Sequence, residues 1–600
     1  MRSIVLYMHM HQPYRVKHYN IFEVGHDHDY WNDKDWHAGT NNERIFKKVA
    51  EKSYRPMLAR LEKCIQLYEG FKFSLSITGT FLEQAEAWGP DIIETLKRLT
   101  ASGRVEIIAE TYYHSLAFFY DRAEFEAQIR QHQAKIRDLF GVETRVLRNT
   151  ELSYNNELAR WADDFGMKGI LAEGWDKVLE WRSPNFVYRP EGCKNIKLLL
   201  KNYRLSDDIA FRFSDRNWKE WPLTVDKYIQ WLETATLRGP LINLFMDFET
   251  FGENIWEDTG IFEFFEHLVY RWDRDSDNNF LTVSEACDSA EPKAEISMPW
   301  TVTWADTERD LTAWLGNSMQ HEALKGIYDL KESVLKLNNP RLTEDWRRLQ
   351  TSDHPYYMCT KYFSDGDVHA YFSPYDSPFD AFLYYMNTLR DMRGRIDELE
   401  AHQKAISHNL AHEQFYLETP SLKRKPEALA MIEEFREYES PSIGFAGLDE
   451  FDGDYEAWLE QRIDKKRQND TEDITAETFF LVRKSDDRLI GAINIRLNLN
   501  ERLKKYGGNI SYSIRPTERG KGYNKINLYL GLQKCQEFGF KKVVLDVMKS
   551  NIASWKTIEA LGGEQIGEFY HPDKHGTAKK YQIHIAKALS SSQDAKDIQS

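Results

Sequence analysis

The sequence predicts an α/β protein in two parts, a large parallel α/β part followed by a smaller α+β part. In the first part, short apolar runs alternate with longer stretches of helical periodicity, which indicates a parallel sheet with connecting helices. The strand-like runs are residues 4–8, 73–77, 105–108, 169–171 and 241–246, and the clearest helical stretches are 54–68 and 124–139. We expect a barrel, because it is the commonest closed form of such a sheet.

The rest of the chain has a different pattern. Residues 300–395 are mostly helical with aromatic-rich breaks at 353–357 and 372–378, and two helices are expected after residue 415. Strands at 479–482, 489–496, 508–514, 542–548 and 578–587 then alternate with helices at 524–538 and 552–561. The expected domains are a barrel over 1–295, a mostly helical region over 296–395, a helical linker over 396–414, an α+β domain over 415–589 and a disordered tail over 590–600.

Charge and tryptophan content divide the chain in the same place. Residues 1–410 hold 50 Lys and Arg against 65 Asp and Glu, whereas residues 411–600 hold 29 against 30. Of the 17 tryptophans, only Trp458 and Trp555 lie beyond residue 410. Two domains of different chemistry are the simplest explanation. The overall charge of −16 argues against a nucleic-acid partner.

Nothing in the sequence indicates a membrane or an oxidising compartment. The opening residues, MRSIVLYMHMHQP, read as a strand and lack the apolar core of a signal peptide. No apolar stretch approaches the length of a membrane span. The five cysteines are scattered without CxxC spacing, so we expect no disulfide framework and no metal site. A cytoplasmic location is the expectation.

Acidic residues stand directly after several predicted strands of the first part. In parallel α/β barrels the chemistry lies where strands end, and glycoside cleavage needs two carboxylates there. Glu151 follows the apolar pair Val146 and Leu147, and Asp247 follows the run 241–246, so these two are the candidate pair. Every barrel rim exposes some acidic residues, and position alone therefore leaves a merely exposed role open.

Five short motifs favour a functional role for these acidic residues. They are HMHQP at 9–13, TGTFLE at 78–83, NTEL at 149–152, MDFETFGE at 246–253 and TWADTERD at 303–310. In this order they resemble the five sequence regions of glycoside hydrolase family 57, and the resemblance covers residues 1 to about 395. It implies an incomplete, seven-stranded (β/α) barrel followed by a helical region.

The resemblance also implies roles for individual residues. Glu151 matches the family's nucleophile and Asp247 its general acid/base. Residues that would line the sugar subsites are His9, His11, Glu83, Glu249, Trp304 and Asp353. Taken alone, His11 could equally be a hydrogen-bonded core histidine. The implied substrate is an α-1,4-glucan, the short catalytic part is most similar to the α-amylase group, and no cofactor is expected for this part.

Elementary electrostatics predicts how these carboxyl groups behave. Asp247 and Glu249 are two residues apart, and in an extended segment both would face the same side. Such proximity should raise the pKa of one of them, as a general acid requires. Glu151 should stay ionised, with help from Arg148 or a histidine.

Two alternatives to hydrolysis remain open for the first part. Hydrolases and transglycosylases that retain configuration share one covalent intermediate, so a 4-α-glucanotransferase or a branching-type enzyme fits the same motifs. A non-catalytic carbohydrate-binding protein is the other alternative, although both candidate carboxylates are present.

The second part contains a glycine turn between a strand and a helix. The run IRPTERGKG at 514–522 places free backbone N–H groups and two basic side chains at a helix start, which suits a pyrophosphate. A basic turn without a ligand is the alternative. With LIGAI at 489–493, NIAS at 551–554 and LGG at 561–563, the run resembles the GNAT acetyltransferase superfamily over about 415–589.

This second resemblance implies that acetyl-CoA is the cofactor and that an amine, unidentified here, is the acceptor. The implied cofactor-binding residues are Arg519, Gly520, Lys521, Gly522, Tyr523 and Asn551. The sequence departs from the family pattern at Asn524, where glycine or alanine is usual, and at Ile558, where a tyrosine often serves as the acid. The catalytic acid is therefore unassigned, and the acetyltransferase could be functionally independent of the barrel.

Overall fold

The computed structural model describes residues 1–361, 372–412, 415–451, 453–467, 474–572 and 574–591. Contacts divide the chain into two compact units, Met1–Asp397 and Glu398–Ser600. The helix Pro378–His412 runs through the predicted start of the linker at residue 396, so no break in secondary structure marks that position. None of the helices in the described ranges is long and apolar enough to cross a bilayer.

Seven parallel strands form the barrel of the first unit. The strands of the unit, numbered in chain order, are β1 Arg2–Met10, β2 Phe73–Ile77, β3 Val105–Ile108, β4 Val146–Leu147, β5 Gly169–Glu173, β6 Arg189–Pro190, β7 Lys197–Lys201, β8 Leu241–Asp247, β9 Asn278–Phe280 and β10 Glu295–Ile296. The short strands β6, β9 and β10 lie outside the ring. The order around the ring is β8–β1–β2–β3 and then β4–β5–β7. Most residues of β1, β2, β5, β7 and β8 are buried on both faces, as a sheet covered by helices requires.

The ring has two seams where pairing is reduced. Between β3 and β4 a single bridge joins Ala109 to Leu147. Between β7 and β8 the Asn202 N–H donates to the Asn243 carbonyl at 2.9 Å, and the Asn243 side chain donates to the Leu200 carbonyl at 2.8 Å. The barrel is therefore two sheets that close on each other, and the predicted fold class of an incomplete seven-stranded barrel is confirmed.

Helices surround the strands and continue beyond them. Through the barrel they are Asn42–Val49, Arg55–Leu67, Gly79–Trp88, Pro90–Ala101, Ala117–Tyr120, Arg122–Phe140, Asn156–Asp164, Asp176–Leu179, Tyr203–Ala210, Val225–Thr236, Ile261–Asp273 and Val283–Ser289. The later helices are Thr312–Leu315, Ser318–Tyr328, Lys331–Leu337, Pro340–Arg348, Asp353–Tyr357 and Pro378–His412. The predicted break at 353–357 is wrong, because those residues form a short helix.

The second unit is α+β with antiparallel pairing. Its strands are β11 Phe415–Glu418, β12 Ala476–Arg483, β13 Arg488–Arg496, β14 Ile510–Ile514, β15 Lys542–Met548, β16 Gly563–His571 and β17 Gly576–His584. Sheet β11–β12–β13–β14 and sheet β15–β17–β16 meet at one bridge between Gly508 and Leu545. The helices are Lys425–Glu437, Tyr455–Arg467, Glu501–Tyr506, Tyr523–Glu537, Ile552–Ala560 and Ile585–Ser591. The predicted α+β class is confirmed.

Three details of the second unit correct the sequence prediction. β11 is a strand where the first of two helices was expected, and β16 was not predicted. The last strand ends at His584, and the residues after it form a helix instead of continuing the strand to 587. That helix also includes residues 590 and 591 of the predicted disordered tail, and residues 592–600 lie outside the described ranges.

Candidate active site

Glu151 lies at the end of β4 with a hydrogen-bond donor on each carboxylate oxygen. It has a positive φ of 58° in the turn Thr150–Leu152, which follows the strand. His114 Nε2 lies 2.9 Å from Oε1, and Trp304 Nε1 donates to Oε2 at 2.8 Å. Burial alone would raise the pKa of Glu151, but His114, Arg148 and Trp304 outweigh it and hold the pKa at about 2. The group is therefore an anion at any ordinary pH.

His114 connects Glu151 to a second, fully buried carboxylate. Its Nδ1 lies 3.5 Å from Glu110 Oε2, and Arg148 lies 3.7 Å from the same oxygen. Burial would lower the pKa of His114, but Glu110 and Glu151 raise it to about 9. Burial would raise the pKa of Glu110, and His9, His114 and Arg148 bring it well below its usual range. An imidazolium between two carboxylates is the resulting arrangement.

Sequence reasoning missed Glu110 and His114. Both stand in the segment AETYYH that follows β3, so the rule that selected Glu151 and Asp247 would also have selected them. They were missed because no family motif marks the end of β3, although the strand itself was predicted.

Asp247 is the last residue of β8 and lies opposite His9 of β1 in the sheet register. His9 Nδ1 is 3.5 Å from Asp247 Oδ1, and His9 Nε2 is 3.1 Å from Glu110 Oε2. A continuous series of side chains therefore joins the two candidate carboxylates, from Glu151 through His114, Glu110 and His9 to Asp247. The Asp247 side chain is 48% exposed, which leaves its carboxylate accessible to a substrate.

Glu249 carries the raised pKa that was expected for one carboxyl of the neighbouring pair. Burial, then the charge of Asp247, raises the pKa of Glu249 to about 8, and the Tyr54 hydroxyl donates to its Oε1 at 2.6 Å. The expected extended geometry is wrong, because Phe248–Thr250 forms a turn of 3₁₀ helix directly after Asp247. The two side chains are consequently not on one side of a strand.

The remaining predicted subsite residues contact polar groups from several elements. His11 contacts Thr78 Oγ1 and Asp353 Oδ2, each at 2.9 Å. Burial, followed by the charge of His114, lowers the pKa of His11 to about 4. Burial alone would raise the pKa of Asp353, but the interaction with His11 outweighs burial and lowers that pKa. Glu83 accepts hydrogen bonds from Tyr112 at 3.0 Å and from Arg348 at 2.8 Å. Glu83 thus faces the helical region and makes no direct contact with Glu151.

The Trp304 ring lies between two cations. The Arg148 guanidinium is 5.1 Å from the ring centroid and the Lys201 ammonium is 5.3 Å away, both within cation–π range. Arg309 holds the same loop by donating to the buried Glu173 at 2.8 Å. The indole N–H is therefore fixed where it meets Glu151.

Two groups in this site have the spacing of metal ligands. They are His9, Glu110 and His114, and His11, His114 and Asp353. Arg148 Nη1 lies 3.4 Å from His114 Nδ1, so a permanent positive charge already stands beside the first group. This charge disfavours a metal cation there.

The glycine turn of the second unit places its side chains differently. Gly520 and Gly522 have φ values of 78° and 82°, in the left-handed region that favours glycine. Arg519 donates to the Ile514 carbonyl at 3.0 Å and to Ser440 at 2.7 Å, and Lys521 donates to Glu518 at 2.8 Å. The basic side chains thus contact their own domain, and in the first turn of the helix Tyr523–Glu537 the Lys525 N–H donates to the Gly522 carbonyl at 3.1 Å.

The other two predicted cofactor residues are also engaged within the fold. Tyr523 is buried, and its hydroxyl lies 3.4 Å from Arg483. The Asn551 side chain accepts from the Ser554 N–H at 3.2 Å and caps the helix Ile552–Ala560. The Tyr523 hydroxyl and the Asn551 side-chain oxygen thus each have a partner within their own domain.

Comparison with known proteins yields matches for both units. A family model described as Glycosyl hydrolase family 57 matches residues 5–299, and one described as Acetyltransferase (GNAT) family matches residues 432–562. A Methanocaldococcus jannaschii protein provisionally named alpha-amylase is 44% identical over 61% of this chain and 80% of its own length. The alpha-amylase of Pyrococcus horikoshii is 24% identical over 43% of this chain and 40% of its own length. The chain thus spans about two fifths of that relative.

One solved structure supports the fold. The GH57 branching enzyme of Thermococcus kodakaraensis superposes with a TM-score of 0.50 and 14% identity, over 67% of this chain and 91% of that chain. At this identity the match supports a common fold and leaves the activity open.

Proposed function

This chain belongs to glycosyl hydrolase family 57, and on that premise we propose that its first unit hydrolyses α-1,4-glucosidic bonds with retention of configuration. Glu151 is the nucleophile and Asp247 the general acid/base in this proposal. The observation that carries it is the environment of Glu151, a carboxylate with a donor on each oxygen and a pKa of about 2. A nucleophilic carboxylate must be ionised and oriented, and both conditions are met here.

The proposed reaction has two steps. Glu151 attacks the anomeric carbon while Asp247 protonates the departing glycosidic oxygen, which gives a glycosyl ester and a shortened glucan. Asp247 then takes a proton from water, the water oxygen attacks the same carbon, and the carboxylate of Glu151 leaves. His114 and Trp304 stabilise the charge that returns to Glu151 in the second step.

The accessible position of Asp247 suits the second role. A group that exchanges a proton with the leaving oxygen and then with water has to reach both, and half of its side chain is exposed. Glu249, with its pKa of about 8, holds a proton near Asp247 at neutral pH and so reduces repulsion between them. His9, His11 and Asp353 are proposed to bind the sugar hydroxyls around the reacting bond.

Product analysis tests this proposal. Incubation with maltoheptaose should yield shorter maltooligosaccharides whose newly formed ends have the α configuration, as followed by NMR. Products longer than the substrate would instead favour a glucanotransferase or branching enzyme, the second candidate, because such enzymes share the same covalent intermediate. No change in the substrate would favour a carbohydrate-binding protein.

For the second unit we propose acetyl transfer from acetyl-CoA to an amine. The support is the turn at Gly520 and Gly522, whose positive φ angles lead the main chain directly into the start of the helix Tyr523–Glu537, where the helix dipole favours an anion. Because Arg519 and Lys521 already have partners, the main chain supplies most of the proposed contacts to the pyrophosphate. Calorimetry with CoA tests binding, and release of free CoA in the presence of candidate amines tests transfer.

A further inference from the structure

We propose that a groove lined by Trp300 in the first unit is a second α-glucan binding site, separate from the residues around Glu151. The proposal rests on the proposed glucan activity and extends it from the reacting bond to the length of chain that the enzyme holds. The groove encloses about 280 Å³. Its lining includes Lys177, Arg182, Glu191, Glu295, Ser297 and Trp300, and we call it the Trp300 groove.

The charges of the groove favour a neutral ligand with many hydroxyl groups. Lys177 and Arg182 offer donors, whereas Glu191 and Glu295 offer acceptors, and the two signs are interspersed along one small surface. An anionic ligand such as a phosphate would face the carboxylates, and a polyamine would face the cations. Sugar hydroxyls donate and accept, so a glucosyl unit can use both sets.

Exposed tryptophans supply the second half of sugar recognition. Trp300 is 50% exposed, and Trp181, whose neighbours Glu180 and Arg182 line the groove, is 78% exposed. The C–H face of a glucose ring packs on an indole while its hydroxyl groups point outward to polar side chains. The combination of a flat apolar wall with donors and acceptors at its edges is what such a ring requires.

One carboxylate of the groove is held in place before any ligand arrives. Glu191 Oε2 accepts from the Asn156 amide at 2.9 Å and from the Ser297 hydroxyl at 2.6 Å. Within the described residues, these side-chain bonds all go to Oε2. A ligand hydroxyl that bonds to Oε1 therefore meets an acceptor whose conformational freedom has already been lost.

The groove is connected to the nucleophile by a short, paired segment. Val302 exchanges backbone hydrogen bonds with Tyr154 at 2.8 and 2.9 Å, which fixes the strand-like path from Trp300 to Trp304. Trp304 donates to Glu151. Four residues span at most about 14 Å, so one glucan chain of several units would reach both places. The groove should therefore affect long substrates and spare short ones.

Trp300→Ala tests the inference. It should raise KM for soluble amylose at least about fivefold and leave kcat/KM for maltotriose within about twofold, because a remote contact is made only by a long chain. Trp36→Ala is the matched control, since Trp36 is 47% exposed and does not line the groove. It should change neither value.

A binding measurement separates this inference from the proposed catalysis. In native gels that contain amylose, the Glu151→Gln protein should be retarded, and adding Trp300→Ala should abolish most of that retardation. Arg182→Ala provides a second variant if Trp300→Ala does not fold, with a smaller loss expected. Unchanged retardation and an unchanged KM for amylose would overturn the inference alone. Absence of any Glu151-dependent cleavage would instead overturn the proposed function.

Discussion

The site around Glu151 is formed by side chains, whereas the turn around Gly522 offers mainly backbone groups. In the first unit the predicted residues Glu151, Asp247 and His9 present side-chain oxygens and nitrogens that are linked through two further residues, His114 and Glu110. In the second unit the basic side chains of the predicted site contact their own domain, and what is left for a ligand is backbone. The first site depends on side-chain chemistry, and the second depends on conformation.

This difference decides what each substitution should reveal. A site formed by side chains should lose its activity when a carboxylate is replaced by an amide of the same shape, as in Glu→Gln, even though the fold is unchanged. A backbone site should tolerate loss of its charged side chains and fail when the φ angles of its glycines are disturbed. The predictions below test that contrast, from the largest expected effect to the smallest.

Glu151→Gln should lower turnover on amylose by about 10⁴-fold or more, because the amide cannot form the covalent intermediate. The melting temperature should stay close to that of the unchanged protein, since Gln keeps the shape and one acceptor oxygen. Steady-state kinetics and a thermal melt measure the two effects. Turnover within tenfold of the unchanged protein would remove Glu151 from the nucleophile role.

Asp247→Asn should cost about 10³-fold on amylose and much less on aryl maltosides with good leaving groups. The reason is that a good leaving group departs without protonation, whereas a sugar hydroxyl does not. The ratio of kcat/KM on the two substrates is the measurement. An equal loss on both would show that Asp247 acts in some other way.

Glu110→Gln should move the alkaline limb of the pH–rate profile to lower pH. Glu110 and Glu151 together raise the pKa of His114 to about 9, so removing the charge of Glu110 lowers that pKa and His114 loses its proton at a lower pH. At pH 8 the activity should fall by about tenfold, whereas at pH 6 it should change little. Glu106→Gln, on β3 four residues before Glu110 and bonded to Ser74 and Ser284, is the control and should leave the profile unchanged.

Gly522→Val should weaken CoA binding by more than about tenfold, and Lys521→Ala by less than about threefold. Valine is strained at a φ of 82°, whereas Lys521 already pairs with Glu518 and contributes a charge that solvent screens. Calorimetry with CoA ranks the two. Equal losses would indicate a site built on side-chain charge.

Separating the units should have the smallest effect. Fragments 1–412 and 413–600 are expected to be soluble and to keep their respective activities within about twofold, because each unit holds its own core. Each should give one cooperative melt. If either fragment aggregates while the whole chain does not, the predicted domain organisation is wrong.

The parts of the fold that the sequence predicted are those with an unambiguous hydrophobic pattern. β2, β3 and β15 were predicted to the residue, because each is an apolar or alternating run bounded by polar residues. β16 was missed because it is exposed along most of its length and carries Glu564, Gln565 and Glu568, which break the alternation. β11 is four residues long and follows a helix, so its pattern is too short to separate from helix.

The site was predictable where a motif fixed it and not where the chain turns locally. Glu151 and Asp247 were selected because they follow predicted strands and match motifs. The relative orientation of the Asp247 and Glu249 side chains was not predicted correctly, because the 3₁₀ turn at Phe248 depends on tertiary packing that residue spacing does not encode. Glu110, which contacts His114, also follows a predicted strand, but no family motif marks it and the sequence therefore did not single it out.

The seam between β3 and β4 has a mechanical consequence for the paired carboxylates. Asp247 and His9 belong to the sheet that includes β3, whereas Glu151 is mounted on the sheet that begins with β4. One backbone bridge joins the sheets there, and the fully buried Arg148 and Glu110 face each other across it at 3.7 Å. A relative displacement of the two sheets would change the gap between the proposed nucleophile and the proposed proton donor directly. Because Arg148 and Glu110 pair across this seam, weakening the pair should disturb catalysis well before it unfolds the barrel.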